Sequence, residues 1–385
     1  MDFTPILTNL AAQVLTGLTL IGFVILIVVY SVQYLYLARK AKKAMTDADR
    51  QPADDGKALP PVSVVLVAHN EASFLRENLV YILEQDYPDF EVVVVDYLSL
   101  DDTQFVLKLC CDNYTNLKVV TIKEDVNRFH GRKFPLSMGI QSAKNDVVVL
   151  TDVDCAPTSL QWLRHTVEVF SRPRVNIALG YSLVCAGKGM LGSLERYDNL
   201  SYSASYLSRA ARQHPVTACG RNLAFRRAFF FSKGAFISHY TEPDGADDLF
   251  VNRNATRRNT ALSIHKDAFV KVNAPEQFAA WHQQRKHRCA TYRFHTFAQK
   301  MDGAAPGIAL LLFYGCGIAL AATSLLPWQI LAGMLLLKLV YQITAFAQLE
   351  KAFGEKGLCW LSPVYEFYFF IANTTLLLFP LRYKK

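Results

Sequence analysis

No two cysteines in this sequence are spaced as CxxC, and none of the eight joins histidines at the spacing of a zinc site. Cys110 and Cys111 are adjacent and the others are scattered, so the thiols read as reduced and structural. No GxxxxGKS or GxxxxGKT segment occurs, which sets aside a P-loop enzyme. Charge is absent from Leu10 until Arg39, and the run Leu10 to Val29 is almost wholly apolar, matching the ~20 residues that cross a bilayer. Basic residues are missing in front of that run, where a cleaved signal peptide would carry them; Arg39, Lys40, Lys42 and Lys43 follow it instead. The run reads as a retained anchor.

The 385 residues are 51% hydrophobic, more than a wholly soluble chain of this length carries, so part of it belongs in lipid. The four basic residues after the first run set its orientation and place the central region in the cytosol. A formal charge of +8 suits an acidic partner, but the cations cluster beside apolar segments rather than along one continuous face, and no nucleic-acid partner is expected.

Residues 1–43 are read as the anchor and 44–60, polar and ending in prolines, as a linker. From Val62 short β-branched runs recur at Val62 to Ala68, Glu91 to Val95, Lys118 to Ile122 and Asp146 to Thr151. Helix-like stretches alternate with them at Phe74 to Gln85, Asp101 to Cys111 and Lys133 to Ala143. Strands apolar on both faces and alternating with helices predict a doubly wound α/β domain over 61–302 with a mostly parallel sheet. A membrane region follows over 303–385, with apolar stretches at Ala305 to Leu326, Gln329 to Ala347 and Leu361 to Leu381. The last contains Glu366 and ends in Arg382, Lys384 and Lys385, which conflicts with the positive-inside rule if all three cross. Two to three carboxy-terminal transmembrane helices are therefore expected beside the one at the amino terminus.

Ligands of an open α/β sheet sit beyond the carboxyl ends of its strands, which singles out the residues after each run. The first leads to His69, Asn70 and Glu71, the second to Asp96, the fourth to Asp152 and Asp154. Two carboxylates one residue apart at a strand end can share Mg²⁺ or Mn²⁺ with phosphate oxygens; a solvated turn, with Thr158 and Ser159 capping a following helix, is the plainer reading. Gly131, Arg132 and Lys133 open the third helix, as a diphosphate site or simply as a basic helix start. Asp247 and Asp248 follow Gly245, as a general base or as a helix cap. The segment from Trp281 through Gln283, Gln284, Arg285, His287 and Arg288 is a dense cationic set, also explicable as a flank attracted to anionic lipid.

In this order the residues resemble the family 2 glycosyltransferases, over roughly Pro60 to Arg293. That family has a GT-A fold, a first strand ending in Asn-Glu, a second ending in Asp, a DxD, an acidic pair and a QxxRW segment. The resemblance implies that Asn70, Glu71, Asp96, Arg132, Lys133 and Asp152 bind a nucleotide-diphosphate sugar. It implies that Asp152 and Asp154 hold a divalent metal, and that Asp247 or Asp248 is the catalytic base. Arg221 and Asn222 look like the acceptor-side segment, joined on the acceptor and diphosphate side by Gln283, Gln284, Arg285, His287 and Arg288. The sequence departs from the pattern at Tyr97, Ala246 and the missing tryptophan of QxxRW.

The expected activity is inverting, metal-dependent hexosyl transfer to a lipid or lipid-linked glycan acceptor, by an integral protein of a bacterial cytoplasmic membrane. A non-catalytic membrane scaffold of the same fold, or a transport accessory, is the alternative. A GxGxxG match at Gly187 to Gly192 lacks the acidic residue ~20 positions on that dinucleotide binding requires, and reads as a loop before an interfacial helix near Leu194 to Leu207.

Overall fold

The computed structural model describes residues 4–50, 59–124, 131–185, 189–273, 275 and 277–378. The chain opens on α1 (Thr4–Tyr30), a π-helical turn (Ser31–Tyr36) and α2 (Leu37–Arg50). A linker was expected from Ala44, but neither glycine nor proline occurs between Leu37 and Arg50, and α2 carries on to Arg50.

The α/β unit, residues 40–294, is then built from β1 (Val62–Ala68), α3 (Ala72–Leu83), β2 (Phe90–Tyr97), α4 (Thr103–Asn113), β3 (Leu117–Ile122), α5 (Lys133–Ser142) and β4 (Val147–Leu150). These match the runs and helices read from sequence to within a few residues. Next come β5 (Cys155–Pro157), α6 (Trp162–Val167), β6 (Ile177–Leu179), β7 (Ser182–Cys185), α7 (Met190–Ala211), β8 (Leu223–Arg226), α8 (Arg227–Ser232), α9 (Asp248–Asn254), β9 (Thr260–Leu262), β10 (Val270–Asn273) and α10 (Phe278–Ala290).

Seven strands form one sheet in the order β3-β2-β1-β4-β8-β6-β9. The first four run parallel, as expected; β8 is antiparallel to both β4 and β6, and β9 is parallel to β6. Every β1 residue is buried because helices cover both faces. Val62, Val64 and Leu66 share a cluster with Val92 and Val94 of β2, Leu75 and Leu79 of α3, and Val106 of α4. α5 packs on β1 and β2. A smaller sheet, β5-β10-β7, follows the fourth strand. Thr158 and Ser159 do not cap α6 directly: its N-cap is Gln161, whose N–H the Ser159 hydroxyl accepts at 3.1 Å, while the Thr158 hydroxyl donates to the Phe269 carbonyl at 2.9 Å.

The apolar unit joins the first helix to residues from His295 on. It contains α11 (Phe297–Leu310), a second π-helical turn (Leu311–Cys316), α12 (Gly317–Ala322), α13 (Trp328–Phe353) and α14 (Ser362–Leu378). α11 starts well before Ala305 because Thr296 and Gln299 form a reciprocal capping box, which moves the unit boundary from the expected residue 303 to 295. Three helices among the described residues, Thr8–Asp47, Phe297–Ala322 and Trp328–Phe353, are long and apolar enough to cross a membrane. α14, at 17 residues, is shorter, and Arg382, Lys384 and Lys385 lie outside the described residues.

Two features order this unit internally. A Cβ placed on Gly22 of α1 would stand 2.7 Å from the Phe313 nitrogen and 2.8 Å from the Ala309 oxygen, so only glycine allows that approach. Lys338 of α13, fully buried, donates to Glu366 of α14 at 2.6 Å, Gln342 at 2.8 Å and the Tyr314 hydroxyl at 3.2 Å. The Tyr30 hydroxyl donates to the other Glu366 oxygen at 2.6 Å.

Candidate active site

The residues after β1 and β4, those just before β8 and those at the starts of α5 and α9 meet in one open cleft of about 1890 Å³ within the α/β unit. Glu71, Arg132, Asp152, Asp154, Arg221, Asp247 and Asp248 all line it, and so do Gln284, Arg285, His287 and Arg288. Residues far apart in sequence are thus brought to a single place.

Asp152 and Asp154 leave the end of β4, whose four residues are buried. Asp152 is gripped from two sides: Arg132 Nη2 stands 2.6 Å from Oδ1 and Arg221 Nε 3.9 Å from Oδ2. Burial works to raise its pKa, but the two guanidinium groups prevail and hold the carboxyl below its ordinary range. Asp154 has the opposite balance. Burial and the neighbouring Asp152 charge raise its pKa, and the Cys155 thiol donates to it at 3.3 Å. The two carboxylates and the Cys155 sulfur can bring ligand atoms within 4.8 Å of one another. Two carboxylates one residue apart offer the oxygen donors that suit a hard divalent cation, to which the buried thiol would contribute little.

Gly245 introduces the acidic pair with φ +85°, and a Cβ there would lie 2.5 Å from the Leu249 side chain. The turn it permits places Asp247 at the N-cap of α9 and Asp248 in the first turn. Asp248 is tied down, since one of its oxygens accepts the Thr291 hydroxyl. Asp247 accepts the Gly220 N–H. Burial and then the Asp248 charge push the Asp247 carboxyl above its ordinary pKa. Glu71 is likewise raised by burial, against a lowering hydrogen bond from the His69 N–H.

Five expected site residues fall outside the cleft lining. Asn70, with φ 56°, ties two loops together: its side chain accepts the Leu100 N–H at 2.7 Å and its own N–H meets Ser99 Oγ at 3.1 Å. Lys133 is buried and donates to the carbonyls of His239, Glu242 and Asp244, so it braces a cleft loop from behind. Asn222 is buried and donates to the carbonyls of Tyr181 and Ala268 at 2.9 and 2.7 Å. Asp96 is fully buried in β2, and neither of its oxygens has a hydrogen-bond partner among the described residues. Gln283 lies on α10 next to the lining residue Gln284.

Sequence reasoning missed the α7 wall, where Glu195, Asp198, Asn199 and Tyr202 line the cleft, and the loop residues Glu242 and Asp244. Asp198 is the counter-ion of the cationic segment, pairing with Arg285 at 3.4 Å and with Arg288. His287 meets Asp244 at 3.1 Å and Arg293 meets Glu242. The cations after Trp281 therefore face acidic residues of this cleft. Of the GxGxxG match, Gly187 and Lys188 lie outside the described residues; Met190 already begins α7.

Comparison with known proteins agrees with this geometry. Residues 63–231 match the family model described as Glycosyl transferase family 2. Glycosyltransferase AglE of Haloferax volcanii is 27% identical over 211 residues, 54% of this chain and 66% of that protein. Probable glycosyltransferase YdaM of Bacillus subtilis is 23% identical over 235 residues, 60% of this chain and 54% of that protein. The chain thus spans between half and two thirds of the length of these two relatives. The mannosyltransferase PcManGT of Pyrobaculum calidifontis, solved with GDP-Man and Mn²⁺, superposes with a TM-score of 0.56 at 24% identity, covering 89% of this chain and 97% of that one. That likeness is one of fold, the mostly parallel GT-A arrangement. The strand order and the acidic residues at successive strand ends agree with that match, and residues 63–231 are similar to the domain described as Glycosyl transferase family 2.

Proposed function

We propose that the chain transfers a sugar from a nucleoside-diphosphate sugar to a hydroxyl of a lipid or lipid-linked glycan at the cytosolic face of a bacterial inner membrane, with inversion at the anomeric carbon. The observation that carries this reading is the convergence of Asp152, Asp154, Arg132, Arg221 and Asp247 on one cleft. Asp154 and Asp152 would hold Mg²⁺ or Mn²⁺, which supplies positive charge to the diphosphate leaving group. Arg132 and Arg221 add cationic donors beside the same carboxylates, preorganised where negative charge develops. Asp247, raised in pKa and fixed by the Gly220 N–H, takes the proton of the attacking hydroxyl. Asp248 is engaged by Thr291 and shapes the pair rather than acting as base. The apolar helices on either side of the domain in sequence support a lipid acceptor and a membrane location.

The test is turnover of a panel of GDP- and UDP-sugars with Mn²⁺ or Mg²⁺ by the full chain, with Asp247→Asn and Asp154→Asn alongside. Asp247→Asn should lower kcat by about 10² to 10⁴-fold while nucleotide affinity holds. Asp154→Asn should weaken metal-dependent nucleotide binding itself. Nucleotide binding without any turnover in the parent chain would favour the scaffold reading, and equal loss of binding and turnover in Asp247→Asn would remove its role as base.

A further inference from the structure

Glu195, Asp198, Asn199 and Tyr202 stand at i, i+3, i+4 and i+7 of α7, one face of the helix, and all four line the cleft. Three of them are committed to the fold. Asp198 pairs with Arg285 and Arg288. Asn199 donates to the Ser182 carbonyl at 2.7 Å. The Tyr202 hydroxyl donates to the Ala218 carbonyl at 3.3 Å, and its ring lies under the Arg288 guanidinium at 4.4 Å.

Glu195 is the exception. It is only 3% exposed, and neither carboxyl oxygen has a hydrogen-bond partner among the described residues. Buried polar groups are ordinarily satisfied, so an orphaned carboxyl in the wall of a binding cleft points to a ligand that completes it. Its surroundings narrow the ligand. Asp198 is already offset by two arginines, and the charge of Arg221 also acts on Glu195, so the place has no strong excess of negative charge. Burial, then the Asp198 charge, push the Glu195 carboxyl up to about 7. A carboxyl so poised both donates and accepts near neutral pH, which matches a hydroxyl group; an ammonium would demand the fully charged form. The charged groups that the transfer reading places at the diphosphate, Glu71, Arg132, Asp152 and Arg221, come from other elements of the cleft, so the α7 face is the wall open to the second substrate.

We propose that Glu195 binds the acceptor, its two oxygens taking up neighbouring hydroxyls of a sugar in a carbohydrate subsite on the α7 wall. The proposal rests on the glycosyl-transfer reading and deepens it. It makes Glu195 a binding residue, distinct from the base Asp247.

The experiment uses the full chain in lipid nanodiscs, the best donor from the nucleotide-sugar panel, and 4-nitrophenyl glycosides of glucose, mannose, N-acetylglucosamine and glucosamine as acceptor probes. Nucleoside-diphosphate release is measured against probe concentration, and nucleoside-diphosphate binding is measured separately. At least one neutral glycoside should stimulate release. Glu195→Ala should raise its KM about 10-fold or more with kcat changed by less than about 3-fold, while the nucleotide Kd stays within about 2-fold. Glu195→Gln, which can still donate and accept, should recover most of the loss. An unchanged glycoside KM in Glu195→Ala overturns the subsite, as does a parallel loss of nucleotide affinity, which marks a structural role. Stimulation by glucosamine alone replaces the hydroxyl with an ammonium and also overturns it. Failure of the parent chain to bind any nucleotide would instead defeat the transfer reading beneath.

Discussion

Asp247 and Asp248 carry the same side chain at adjacent positions, yet their surroundings give them different work. Asp248 is held by Thr291, whereas Asp247 sits at the cleft with its carboxyl raised by burial and by the Asp248 charge. In its proposed role as base Asp247 has to be deprotonated, so turnover should fall as pH drops through its pKa, which is raised from the ordinary carboxylate value. Asp248→Asn removes the second cause of that shift while keeping an acceptor for Thr291. The acid limb of the kcat/KM profile should then move to lower pH; a limb that stays in place would mean that another group titrates. Asp152 and Asp154 were legible because they follow an apolar run, and strand ends are where such sheets bind ligands, whereas Asp247 and Asp248 stood out only as an acidic pair after Gly245 at a helix start. Lys133 and Asn222 were legible only as polar residues, because their partners are backbone carbonyls that the fold brings from about 40 to 110 positions away. Glu195 left a fainter trace, a polar stripe at helical spacing whose meaning depends on which face meets the cleft.

One loop that lines the cleft depends on a small set of buried polar groups. Lys133 spans the carbonyls of His239, Glu242 and Asp244, and His239 packs edge-on to Phe236 with ring centroids 5.9 Å apart. Burial, with the charges of Lys133 and Arg253, lowers the His239 pKa from 6.5 to about 4. The native state therefore binds fewer protons than the unfolded chain between those values. Stability is full above pH 6.5 and drains as pH falls towards 4. A chain carrying His239→Gln should show a flatter fall in Tm across that window, and an unchanged slope would place the acid sensitivity elsewhere. Lys133→Met, which strips three carbonyls of their donor, should loosen residues 239–244 to hydrogen exchange and lower turnover with little change in the β1–β4 sheet. At this scale the sequence was most readable where strands are long and β-branched. β5, β6 and β9 have three residues each, too few for periodicity, and their places in the sheets come from pairing with distant strands.

For the whole molecule, the division into an α/β unit and an apolar unit was visible in composition, though its boundary was not. Hydropathy marks where residues become apolar, while the helix starts at the capping box of Thr296, in polar sequence. Hydropathy also registered Glu366 only as an oddity, since Lys338 lies 28 positions away on another helix. Lys338 is fully buried and Glu366 largely so, and loss of one partner strands the other. Lys338→Met should destabilise the apolar unit by about 3 to 5 kcal/mol, read as a lower unfolding temperature in nanodiscs. Lys338→Met with Glu366→Leu should recover much of it. A single variant as stable as the parent would show that the pair contributes nothing.

Gly22 has an evolutionary consequence. Substitutions within a lipid-facing helix are usually interchangeable so long as they remain greasy, because the bilayer discriminates by polarity and hardly by volume. At Gly22 the neighbouring backbone does the discriminating, with contacts under 3 Å waiting for any side chain. Selection there should act on size alone: alanine or leucine would make the segment a better membrane insert and a worse partner for its neighbour. Drift along α1 is therefore held to apolar residues of any size, except at one point where bulk is forbidden, a constraint invisible to any scale that ranks residues by their taste for oil.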